Sequence, residues 1–261
     1  MTAWRDGPLG GRFIFLSASA PSRDLERYPR LQMEVEDAVI HLARAVFTKG
    51  GRLVFGGHPS ISPLVASVAR EYLPPDDSSP RPQRPIQVFQ SDAYKRVIPA
   101  ATRSLEDYGY AAIRWTQAQN GEEFDPEKNR SQCKSSLRFM REEMLKLEPL
   151  AMVAIGGMDG VAEEAGLFLG KTGERVFALR STGGVSGELR KYTGEWLGRQ
   201  DLAVFQGLEK HLERRIVMLE DEFPAPELPP KSERERMASA GAPYGFYLQK
   251  MLRGLLEKRW S

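Results

Sequence analysis

Cysteine is nearly absent from this chain of 261 residues, whose single thiol is Cys133. No intrachain disulfide can form, which fits a reducing compartment. Histidine is almost as scarce. His41, His58 and His211 are scattered, and with one cysteine they offer no ligand spacing for a zinc-type centre, so neither a metal nor a cofactor is expected. No apolar run reaches the ~18–20 residues of a membrane span. The N-terminus does not read as a signal peptide, and a cytoplasmic protein with no membrane partner is expected. An excess of one charge is also missing, since 37 Lys and Arg face 35 Asp and Glu for a formal net charge of +2. That balance argues against nucleic acid as the main partner, which calls for a basic stripe. The dinucleotide fingerprint G-x-G-x-x-G is absent as well. Gly170-Lys171-Thr172 imitates the end of a P-loop, but Ala165 stands where a glycine is required and the triplet closes a helix.

What is present is an ordinary globular composition, 41% hydrophobic and 28% charged, arranged as alternating strand and helix signals. Short apolar runs predict strands at 12–17, 52–55, 86–89, 111–115, 150–155 and 175–179. Helical spacing predicts helices over 31–48, 62–72, 99–108, 127–147, 161–171 and 207–220, with a further helical stretch after Gly184. Cys133 falls inside the fourth of these and reads as a packed, inert thiol. Residues 74–85 and 117–126 read as exposed polar loops. The alternation implies a Rossmann-like open, mostly parallel sheet with helices on both faces. Residues 1–222 form this domain, 223–243 a stiff Pro-rich and charged linker, and 244–261 an amphipathic C-terminal helix. Its stripe of Phe246, Leu248, Met251, Leu252, Leu255 and Leu256 is too apolar to stay solvated. It is expected to dock on its own core, a sister subunit or a protein partner, and the segment after 222 to be dispensable for the core.

Four small-residue loops each follow a strand and precede a helix: Ser17–Ser22, Gly56–Ser60, Gly156–Gly160 and Ser181–Gly184. In open α/β sheets ligands bind outside the carboxyl ends of the strands, and helix N-termini there favour phosphate. Ser17, Ser19, Gly56, Gly57, His58, Gly156, Gly157, Met158, Gly160, Ser181, Thr182, Gly183 and Gly184 are the expected ligand-binding residues. Glu163 and Glu164 either complement the dipole of the helix they open or contact ribose near a glycosidic bond. His58 is either a loop residue bonded to backbone or a ligand contact. Arg138 and Arg141 are either solvated or contacts to phosphate. An aspartate at Gly157 is expected to abolish binding and leave the fold intact.

Read together, Phe15-Leu-Ser-Ala-Ser-Ala-Pro21, Phe55-Gly-Gly-His-Pro59, Ile155-Gly-Gly-Met-Asp-Gly-Val-Ala-Glu-Glu164 and Arg180-Ser-Thr-Gly-Gly184 resemble the SLOG superfamily, which includes the Lonely Guy phosphoribohydrolases. The resemblance covers about residues 10–220 and is closest to SLOG sensor domains of prokaryotic immunity, which bind cyclic ADP-ribose-type signals. It implies a nucleotide-derived ligand; a homo-oligomer, dimer or higher, is also expected. The hydrolases carry Pro-Gly-Gly-x-Gly-Thr-x-x-Glu. Here Ile155 replaces the proline, Asp159 is inserted and Val161 replaces the threonine. Their catalytic arginine lies on the preceding helix; ungapped alignment on Gly156 brings Met140 there, and a one-residue shift brings Arg141. The resemblance therefore implies a sensing module, with N-glycosidic hydrolysis through Glu164 and Arg141 as the alternative.

Overall fold

A computed structural model of the chain describes residues 6–20, 29–72, 80–98, 100–107, 109–126, 133–198, 209–224 and 243–259. Seven strands form one sheet: β1 (Phe13–Ser19), β2 (Arg52–Gly56), β3 (Ile86–Ser91), β4 (Ala111–Thr116), β5 (Ala151–Gly156), β6 (Arg175–Leu179) and β7 (Ile216–Met218). Their order is β4-β3-β2-β1-β5-β6-β7, and every pairing is parallel. The expected fold class holds. The chain steps outward from β1 to β4, returns to lay β5 against β1, and then steps the other way. The β1/β5 boundary is the topological switch point, where such sheets bind ligands. Register there places Ser17 beside Ala154 and Ser19 beside Gly156.

Both faces of the sheet are covered, which is why its strands are near-continuous apolar runs. One face carries α1 (Leu31–Thr48), α2 (Ser62–Tyr72), α3 (Ala100–Asp107) and the C-terminal helix Tyr244–Leu256. The other carries α4 (Lys134–Leu145), α5 (Asp159–Thr172), α6 (Gly184–Glu188) and α7 (Thr193–Gly198), with the Phe168 and Trp196 side chains fully enclosed. Helix α1 shows how the pattern works: Val35, Val39, Leu42 and Val46 recur at helical spacing, all are buried, and Gly50 at φ +69° closes the turn that follows.

Three expectations need correction. The helix expected over 207–220 is α8 (Glu209–Arg215), then β7, then α9 (Leu219–Glu222). Leu212, Ile216 and Leu219 keep helical spacing, but the edge of β6 captures Ile216, Val217 and Met218 as a seventh strand. The fourth helix begins at Lys134, with Cys133 buried just before it. Its start is set by Glu122, whose carboxylate accepts the Ser135 and Ser136 N–H groups at 3.2 and 2.7 Å, a cap supplied from a distant loop. Residues 127–132 lie outside the described residues. Finally, Arg84, in the stretch read as exposed, is buried, and its guanidinium donates to the Glu106 and Ala111 carbonyls.

The apolar stripe of the C-terminal helix meets α1 of its own domain. Tyr244, Tyr247, Leu248, Met251 and Leu252 join the same apolar layer as Val35, Val39 and Leu42. The Tyr244 hydroxyl donates to Glu34 Oε2 at 2.6 Å, and burial followed by that bond holds its pKa well above the ordinary phenol range. The helix is thus part of the core it was expected to leave unaffected. Most of the 223–243 linker lies outside the described residues. Leu248→Ala is expected to cost about 2–5 kcal/mol in urea unfolding, as for other fully buried leucines. Wild-type stability in that variant would mean that the helix is undocked in solution.

Candidate functional site

At the switch point a polar cluster is assembled from three elements. Arg141, on the inward face of α4, is 7% exposed. Its Nη1 donates to Glu163 Oε2 at 2.6 Å and its Nε to Glu164 Oε1 at 3.2 Å. Burial works against the guanidinium charge, but Glu164 and Glu163 outweigh it and hold the pKa above the usual arginine value. The other Glu164 oxygen accepts from Ser17 Oγ at 2.5 Å, so β1, α4 and α5 meet on one carboxylate. Gly160, in the first turn of α5, lies beside the arginine: a Cβ there would stand 3.4 Å from Nη2, an ordinary van der Waals contact. Of the two arginines singled out from sequence, Arg138 instead pairs with Glu142 one turn further along α4. Met140, the residue that ungapped alignment selects, lies against Gly56.

The glycine-rich loop after β5 is shaped by internal bonds. Gly156 and Gly157 have φ +61° and +87°, a region that favours glycine. The Gly156 N–H donates to Thr182 Oγ1 at 2.7 Å, and the Gly157 N–H donates to the Ser19 carbonyl at 2.7 Å. A Cβ on Gly157 would lie 2.2 Å from Val161 Cγ2, so an aspartate there would disturb the loop itself, against the expectation that the fold would stand. Met158 and Gly160 are partly exposed where α5 begins. Beyond β6, Thr182 is fully buried, its hydroxyl committed to the Leu179 carbonyl and the Gly156 N–H. Ser186 Oγ, 3.0 Å from the same hydroxyl, was not legible as part of this knot. Ser181 is exposed and donates through both N–H and Oγ to Glu220 of α9. Gly183 and Gly184 also take positive φ, with Gly183 pressed close to the Leu31 side chain of α1.

The loop after β2 supplies the other wall. Gly57 is glycine because a Cβ would collide with Gln90 of β3, whose amide donates to the Gly57 carbonyl at 2.9 Å. His58 is exposed, with Nδ1 held by Ser60 Oγ at 2.9 Å. Crowding of the ring by protein lowers its pKa, with the Glu164 carboxylate pulling the other way. Of the first loop, Ser17 is buried and Ser19 partly exposed, while Pro21 and Ser22 lie outside the described residues. Among the described residues no group of three or more His, Cys, Asp or Glu could hold a metal ion, and no helix is long and apolar enough to cross a membrane.

Glycine-rich turns and a carboxylate–guanidinium pair stand at the switch point of a Rossmann-like domain, the place where open α/β sheets bind ligands. The chain belongs to the SLOG cluster3 family, which matches residues 31–212. That membership supports a nucleotide-related role in coarse terms. Curated proteins and solved structures gave no match. The family match holds Arg141, Glu163 and Glu164, whereas β1, the source of Ser17, precedes it.

Two outcomes are expected. The unfolded chain titrates a histidine near ~6.5, so a lowered pKa in the folded state means that the unfolded state takes up the proton first as pH falls. His58 should therefore titrate below the unfolded value by NMR, and stability should decline as pH drops through that window, a decline reduced in His58→Gln. Arg141→Met should lower stability by about 3–5 kcal/mol, because it leaves two neighbouring carboxylates without their cation. Adding Glu163→Gln should restore part of the loss. An unchanged melting curve for Arg141→Met would show that the cluster is not formed.

Proposed function

We propose that this domain binds a nucleotide-derived small molecule of the cyclic ADP-ribose type, and acts as its sensor in a prokaryotic immunity or stress pathway. The observation that carries the reading is the Ser17–Glu164–Arg141 cluster at the switch point. A carboxylate held by a serine and an arginine keeps acceptor capacity on each oxygen, which suits the paired hydroxyls of a ribose. Glu163 and Glu164 are assigned to the ribose. Phosphates are assigned to the loops around it: Gly56, Gly57 and His58 on one side, Met158 and Gly160 at the N-terminus of α5, and Ser19, Gly183 and Gly184 on the rim. Gly156, Gly157 and Thr182 shape the rim from beneath. Ser181 enters only if its bonds to Glu220 open. Leu248, Met251 and Leu252 of the C-terminal stripe are buried in the apolar layer with α1, and Phe246, Leu255 and Leu256 pack partly buried against it, so the reading assigns the stripe to its own domain. Assembly into a dimer or higher oligomer is part of the proposal, and light scattering checks it.

The position of Val161 favours sensing over hydrolysis. Its side chain packs beneath Gly157 in the apolar layer and supplies no hydroxyl where the hydrolases place a threonine. One observation favours the alternative: Arg141 and Glu164 are in direct contact, the pair that would stabilise an oxocarbenium-like transition state. Release of free base from adenosine monophosphate, lost in Glu164→Ala, would establish that alternative.

A ligand binding only the folded state stabilises it by RT ln(1 + [L]/Kd), about 2.7 kcal/mol at one hundred times Kd. For a chain this long each kcal/mol is worth roughly 2–4 °C, so saturating ADP-ribose or its cyclic form should raise Tm by roughly 5–10 °C. Adenosine, without phosphates, should do much less, and Glu164→Gln should blunt the response. Equal shifts for adenosine and both ADP-ribose forms would reduce the loops to ordinary turns.

A further inference from the structure

The same sheet edge carries an aromatic pair that the reading above does not use. Tyr94 stands directly after β3, and Phe124 stands in the loop leading to α4. Their rings are stacked, with centroids 4.9 Å apart and planes 23° from parallel. Both are half-buried, and neither belongs to the apolar layers on the two faces of the sheet. The pair is held from several directions. The Cys133 N–H donates to the Tyr94 hydroxyl at 3.1 Å, and the Phe124 N–H donates to the Ala93 carbonyl at 2.8 Å. Glu122, two residues before Phe124, caps the start of α4. Two aromatic rings are thus fixed in place, with part of their surface open, at the sheet edge where the strands end.

The pair also lies along the site. Cys133, whose N–H holds the Tyr94 hydroxyl, stands directly before α4, and Arg141, which holds Glu164, lies about two turns further along the same helix. Between them, Gln90 closes the β3 end against Gly57, and Met140 lies against Gly56. In sheet order, the carboxyl ends of β1, β2 and β3 are thus followed by the Ser17–Glu164 contact, the Gly56–Gly57 loop and the aromatic pair. Half-buried aromatic side chains at the strand ends suit the π-face of a planar heterocycle.

We propose that Tyr94, backed by Phe124, is the base-stacking wall of this site and a determinant of its specificity, taking the nucleobase while Glu164 takes the ribose. The proposal rests on the nucleotide-ligand reading. Stacking also explains a ring pair that is braced by backbone bonds yet left outside both apolar layers.

The test compares two probes by calorimetry, ADP-ribose and ribose 5-phosphate, on the wild type, Tyr94→Ala and Tyr94→Phe. Wild type should bind ADP-ribose more tightly than the base-free probe. Tyr94→Ala should weaken ADP-ribose by about 5- to 150-fold, the usual range for losing one base–aromatic stack, and leave ribose 5-phosphate unchanged. Tyr94→Phe keeps the ring and loses only the acceptor for Cys133, so it should retain wild-type affinity for ADP-ribose. Equal weakening of both probes would assign Tyr94 a structural role and overturn the proposal. So would undiminished ADP-ribose binding by Tyr94→Ala, or a wild type with no preference between the probes. A wild type that binds neither probe would overturn the nucleotide reading, and the stacking wall with it.

Discussion

The guanidinium of Arg141 is the group around which this site is organised. A buried cation needs partners, because removing it from water without them costs several kcal/mol. Arg141 finds Glu163 and Glu164 side by side on α5, and Glu164 passes the connection on to Ser17 of β1. The arrangement ties one helix to the next and both to the central strand, at the place where the sheet reverses direction. It also gives the site its chemical character. Two carboxyl groups surround one guanidinium, and the lone pairs they keep suit the hydroxyl donors proposed for this centre.

The glycine-rich loops are shaped first by the needs of the chain. Gly57 makes room for Gln90 and Gly157 for Val161. Thr182 closes the loop after β5 onto the end of β6 through the Gly156 N–H. The far rim is stitched to the rest of the domain as well. Glu220 binds the Arg180 and Ser181 N–H groups, and the C-terminal helix reaches α1 through Tyr244 and Glu34. A ligand that pulled Ser181 away from Glu220 would therefore act on a loop packed against α1, the helix that also carries the C-terminal one.

Much of this was legible in the sequence. Helices α1 and α2 and strand β6 are bounded as expected because their apolar spacing or run length is unambiguous and Lys49-Gly50, Pro74-Pro75 and Arg180 follow them in the sequence. The loops after β2, β5 and β6 stand between strand and helix as expected, because turns with paired glycines stand out; of the first loop, Ser17–Ser19 belong to β1, and Pro21 and Ser22 lie outside the described residues. What was not legible depended on tertiary contacts. Ile216–Met218 keeps a helical spacing and becomes a strand only because β6 offers an open edge. The start of α4 depends on Glu122, more than ten residues upstream. The choice between Met140 and Arg141 needed the geometry of α4 against α5, which turns Arg141 toward the glutamates and Met140 toward Gly56. Gln90, Tyr94 and Phe124 carry no motif; only their shared sheet edge sets them beside the site.

The central claim is that the Glu164 cluster holds a nucleotide-derived molecule. It is tested most directly by mass spectrometry of the small molecules that co-purify with the intact chain and with Glu164→Ala. The account predicts a species of pentose-phosphate composition released from the wild type on denaturation and depleted from the variant. Retention of the same species at equal occupancy by folded Glu164→Ala would contradict it, as would a wild type that releases only molecules lacking a pentose.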